Sequence, residues 1–110
     1  MAQTLHITDD KYLNQMRELV LSETSSLDCT ILLFGSRARG VHRRSSDIDI
    51  AFSGLSEQVF TRVRDRLLAE IEESIIPHHV DLVNLDSAPS DFRSVAMEEV
   101  IVWKQSSHAN

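Results

Sequence analysis

"FGSRARGVHRRSSDIDIAF" occupies residues 34–52. Near its end Ile48, Ile50 and Phe52 alternate with Asp47, Asp49 and Ala51, the two-residue period of a strand with unlike faces. Aspartate is depleted in strands, and an unpaired buried charge is costly. Two of them at this spacing therefore call for a use. Residues two apart on a strand point the same way, so Asp47 and Asp49 share a face, about 6.5 Å apart along the backbone. The apolar alternates take the other face.

Working outward, residues 30–34 read as a short buried strand that stops at Gly35. Upstream, Tyr12, Leu13, Met16, Leu19 and Val20 recur at helical spacing, which predicts a helix over 8–25 with Thr8 as its N-cap. Downstream, Val59, Phe60, Val63, Leu67, Leu68 and Ile71 form an apolar stripe on a helix over 57–74. Ser56 is placed to cap it, and Pro77 blocks its extension. A third strand follows over 80–85, then a turn over 86–89. A short helix capped by Ser90 or Asp91 runs to 97 or 98, and a last strand covers 100–103. This order predicts an α+β fold: a mixed β-sheet with helices packed on one face.

The third strand carries its own acid, Asp81. Val80 and Leu82 suit the helix-covered face, so Asp81 falls on the other, with Asp47 and Asp49. If the two strands are neighbours, three carboxylates converge. They repel one another and stay ionised only around a cation. An all-oxygen ligand set suits Mg²⁺ or Mn²⁺ rather than zinc. Two such ions about 3.5–4 Å apart can stabilise both the attacking and the leaving oxygen of an in-line displacement. The alternative is three solvated acids paired with nearby arginines.

Gly35 and Ser36 end the strand before the acids. Glycine permits a close backbone approach, and N–H groups opening a short helix, beside a hydroxyl, suit an anion. Residues 37–40 read as that short helix, with Gly40 at its end. Arg37, Arg39, Arg43 and Arg44 make this loop basic, although the whole chain has a formal net charge of -6 and a pI near 5.2. A basic loop in an acidic protein points to a small anionic ligand and away from a general nucleic-acid surface.

The 110 residues are read as one domain, 1–110, without room for a second. The single cysteine, Cys29, can form no internal disulfide and reads as a buried thiol. No leader-like or membrane-spanning run is evident, so a cytoplasmic protein without a membrane partner is expected.

In combination, "GSRARG", "SDIDI" and "VDLV" resemble the nucleotidyltransferase superfamily that includes DNA polymerase β and kanamycin nucleotidyltransferase. The length resembles its minimal nucleotidyltransferase (MNT) branch, and the likeness extends from about Ile31 to Trp103. The resemblance implies that Gly35 and Ser36 hold the β and γ phosphates of a nucleoside triphosphate. Arg39 matches a frequently basic position of that loop. Asp47 and Asp49 would ligate two Mg²⁺ ions, with Mn²⁺ as the alternative metal. Asp81 would complete one metal site and help deprotonate the acceptor hydroxyl. The resemblance also implies a separate helical partner, of the HEPN or kanamycin-transferase C-terminal type. In several such pairs the partner is a toxin, and the MNT subunit, its antitoxin, transfers AMP from ATP to a tyrosine on it. Two other readings stay open: a binding-only antitoxin, and an antibiotic-modifying nucleotidyltransferase.

Other residues carry no assigned chemistry. Adjacent His78 and His79 point to opposite faces, so they do not ligate one ion jointly and read as a solvated turn. His6, His42 and His108 read as surface residues, and Trp103 as core or interface. Arg43 and Arg44 are balanced between phosphate contact and an exposed loop. The charged face of the 57–74 helix reads as solvated.

Overall fold

The computed structural model describes residues 2–40 and 47–107, with side chains from residue 11 onward. The strands are β1 (Thr30–Phe34), β2 (Ile48–Ser53), β3 (Val80–Asn84) and β4 (Ile101–Lys104). The α-helices are α1 (Ala2–Glu23), α2 (Ser36–Arg39), α3 (Glu57–Glu73) and α4 (Ser90–Ala96). One mixed sheet forms in the order β3-β2-β1-β4. β1 is antiparallel to β2 and β4, whereas β2 and β3 are parallel. Parallel neighbours need a long crossover, and α3 supplies it.

Local chemistry explains α3. The Ser56 hydroxyl accepts a hydrogen bond from Val59 N–H at 3.2 Å, satisfying one of the donors a helix start leaves over. Phe60, Val63 and Leu67 are then buried at helical spacing. They meet Met16 and Val20 of α1 over the sheet face formed by Ile31, Leu33, Ile48, Ile50 and Phe52. The Phe52 and Phe60 rings pack edge-on, with centroids 5.6 Å apart. Trp103 also packs against this core.

The opposite face carries a smaller cluster of Leu32, Phe34 and Ala51, joined by Leu85 and by Ala96 of α4. The one-face expectation thus describes α1 and α3, while α4 lies over β1 on the second face, where Phe92 meets Phe34 edge-on. The acids of β2 and β3 sit on this second face.

Several boundaries differ from expectation. α1 begins at Ala2, so Thr8 lies within the helix rather than capping it; residues 3–7 contain no Gly or Pro to stop it. Neither Ser90 nor Asp91 caps α4, because the helix begins at Ser90 itself and Pro89 holds the N-cap position. β3 ends at Asn84, whose side-chain oxygen accepts Asp86 N–H at 3.2 Å and starts a 3₁₀ turn, Leu85–Ser87. β4 runs on to Lys104, whose ammonium donates to the Thr24 and Leu27 carbonyls just past α1.

Candidate active site

The parallel register puts Asp49 of β2 opposite Asp81 of β3. Hydrogen bonding extends one step before β3, where Ile48 N–H donates to the His79 carbonyl at 2.9 Å. Asp47 and His79 therefore enter the pair side by side. One ligand atom from each of Asp47, His79 and Asp81 lies within 4.8 Å of the other two. All three residues are exposed, whereas Asp49 is half-buried.

Asp49 is also the partner of Phe34 in the β1–β2 register, and Gly35 comes next in the chain. Gly35 has φ of 75°, a left-handed conformation that favours glycine. A Cβ added there would stand 3.1 Å from Asp49 Cγ and nearer still to Oδ2. Glycine is thus required both for its backbone and to admit the carboxylate. From Gly35 the chain turns into α2, whose first N–H groups have no acceptor within the helix. Gly40, with φ of 75°, ends that turn and donates its N–H to the Ser36 carbonyl. The Gly-Ser loop and the strand acids thus form one continuous site.

Electrostatics act strongly on Asp49. Burial pushes its carboxyl above the usual aspartate range. The Asp81 and Asp47 charges push it further, as does a hydrogen bond shared with Asp81, and His79 opposes the rise. Charge repulsion between oxygen donors is what a divalent cation relieves, so this donor set fits one.

The structure gathers Gly35, Ser36, Asp47, Asp49 and Asp81 at one end of the sheet. Arg39 is exposed and lines a cleft with Phe34, Gly35, Phe92 and Val95, next to the loop. Two residues escaped the sequence reading. Arg37 is buried, at 4% exposure, while its neighbour two places on faces solvent; nothing in the sequence distinguishes them. His79, expected in a solvated turn, is exposed but stands 3.2 Å from Asp81 Oδ1 through Nε2. His78 does diverge from it, packing its ring 5.6 Å from that of Tyr12. The overlooked signal was parity: His79 and Asp81 are two apart and share a face. Arg43, Arg44, His42 and His108 lie outside the described residues, as does the side chain of His6.

Comparison with known proteins agrees with this geometry. The family model for polymerase beta, nucleotidyltransferase, matches residues 18–108. The probable protein adenylyltransferase MntA of Haemophilus influenzae is 35% identical over 78 residues, covering 71% of this chain and 68% of the relative. A provisionally assigned minimal nucleotidyltransferase superposes with a TM-score of 0.62 at 28% identity, covering 83% of this chain and 92% of the other. A chain from a complex of tri-AMPylated Shewanella oneidensis HEPN toxin with MNT antitoxin superposes with a TM-score of 0.57 at 20% identity, covering 89% and 73%. At that identity the likeness speaks for the fold. A family match over most of the chain, on a fold that brings the motif residues to one place, makes this protein a nucleotidyltransferase of the polymerase β family, in its minimal nucleotidyltransferase branch.

Proposed function

We propose that the chain is a divalent-metal-dependent protein adenylyltransferase, moving AMP from ATP to a tyrosine hydroxyl of a HEPN-type toxin and acting in the cytoplasm as its antitoxin. The carrying observation is the contact between Gly35 and the Asp49 carboxylate, with Asp81 directly across the strand pair. A phosphate-binding turn and a group of acids are thereby within reach of one phosphoryl centre. The adenylyl group follows the likeness to MntA. The HEPN partner follows the complex that contains a structural neighbour.

In this reading Gly35 and Ser36 offer amide N–H groups and a hydroxyl to the β and γ phosphates, and Arg39 adds positive charge beside them. Asp47, Asp49 and Asp81 would hold two divalent ions, Mg²⁺ in the first instance. Bound there, the ions supply Lewis-acid stabilisation of charge on the phosphoryl and leaving oxygens. Asp81, exposed at the edge of the group, accepts the proton of the attacking hydroxyl. Asp49, held between Gly35 and Asp81, fixes the position of the acids relative to the phosphate loop.

The test is incubation with ATP, Mg²⁺ and a purified HEPN-type partner, followed by intact mass measurement of the partner. A gain of one or more adenylyl groups is expected with the wild type and none with Asp49→Asn. A partner that is neutralised equally by both, with no mass gain, would replace catalysis by blockade.

A further inference from the structure

Resting on the metal reading above, we infer that His79 is a metal ligand. With Asp47 and Asp81 it makes one ion position a mixed nitrogen–oxygen site that takes a first-row transition ion in preference to Mg²⁺, Mn²⁺ being the spectroscopic probe of that preference. Neighbouring donors of an octahedral ion bound at about 2.1 Å stand about 3 Å apart, and opposite donors about 4.2 Å. His79 Nε2 and Asp81 Oδ1 are 3.2 Å apart, and the three residues offer donors within 4.8 Å of one another. The His79–Asp81 separation matches neighbouring positions of one coordination shell, and small side-chain rotations bring the third donor into it. The placement is built in by pairing, since the His79 carbonyl accepts Ile48 N–H and His79 thereby stands beside Asp47.

The donor types decide the selectivity. Carboxylates accept Mg²⁺ and Mn²⁺ alike, but imidazole nitrogen favours transition ions, and Mg²⁺ strongly prefers oxygen. Asp49 lies outside the three-residue group and is left to the oxygen-only position nearer Gly35. The two ion positions therefore differ in chemistry.

The experiment uses untagged full-length protein and Mn²⁺ alone as the probe. Pulsed electron paramagnetic resonance reads nitrogen coupled to the bound ion, and titration gives its dissociation constant. In the wild type an imidazole nitrogen coupling is expected, and His79→Gln should remove it. The same substitution should weaken Mn²⁺ binding roughly tenfold or more, and Mg²⁺ binding, read by competition, less than about threefold. His79→Ala should behave likewise; the side chain is exposed, and unchanged thermal unfolding without metal verifies the fold. Bound Mn²⁺ with no nitrogen coupling, or coupling that survives in His79→Gln, would overturn the inference and leave the acid metal site standing. Equal weakening of both ions would overturn the selectivity. No Mn²⁺ binding by the wild type would overturn the metal reading together with it.

Discussion

The two faces of β2 are made of alternate residues and behave as different materials. Ile48, Ile50 and Phe52 are fully buried under α1 and α3, in the larger of the two cores. Asp49 points the other way, half-buried against Gly35 and opposite Asp81. A one-residue step along the chain thus passes from packing that stabilises the fold to charge that strains it. The acid-bearing face is less stabilising because Asp49 is partly desolvated beside the like charges of Asp81 and Asp47. Its own smaller cluster, Leu32, Phe34 and Ala51 with α4, anchors that face beside the acids.

Neighbouring substitutions on β2 should therefore separate activity from stability. The largest effect is expected from Asp49→Asn, which should slow adenylyl transfer on the order of a thousandfold through loss of a metal ligand. Thermal unfolding of the metal-free variant should be no lower than that of the wild type, because a repelled carboxylate has been neutralised. Ile50→Ala should do the reverse. It should cost about 2–5 kcal/mol in urea unfolding, with transfer per folded molecule preserved below the transition. If both variants lose activity and stability together, the separation of faces fails.

Gly35→Ala probes the seam between the two. Its backbone conformation, with φ of 75° and ψ of -158°, should cost about 1–3 kcal/mol for a residue bearing Cβ, and that Cβ collides with Asp49. Both readouts should fall, transfer more than stability, measured by the same mass and urea assays.

The smallest effect is a difference in pH dependence. Burial first, then Asp81 and Asp47, raise the Asp49 carboxyl above its ordinary range in the folded protein. The folded protein thus keeps this proton after the unfolded chain has released it. Without metal, the contribution of Asp49 to stability is full below the ordinary aspartate range and is lost as pH rises through the raised value. Urea midpoints measured from acid to neutral pH should show Asp49→Asn gaining on the wild type across that interval. Saturating Mn²⁺ should stabilise the wild type and reverse the ranking. Parallel pH profiles for the two proteins would contradict this electrostatic account.

Much of the architecture was legible because it rests on period and punctuation. β1 matches its expected bounds, and α3 ends one residue early, since buried runs and a serine cap are local signals. The convergence of Asp47, Asp49 and Asp81 was legible from parity once β2 and β3 were taken as neighbours. What was not legible depends on placement in space. The position of α4 over β1 follows from packing of Ala96 and Phe92 on residues far away in sequence. The burial of Arg37 beside an exposed Arg39 follows from the orientation of a four-residue helix. His79 was missed because it lies just before β3, where a strand-based parity argument stops although the pairing continues.

The central claim is tested most directly by a crystal grown with Mn²⁺ and a non-hydrolysable ATP analogue, with the metal located by anomalous scattering. Manganese is predicted between the side chains of Asp47, Asp49 and Asp81, with the terminal phosphates seated at Gly35 and Ser36. Manganese and nucleotide bound elsewhere, with those aspartates free of metal, would contradict it.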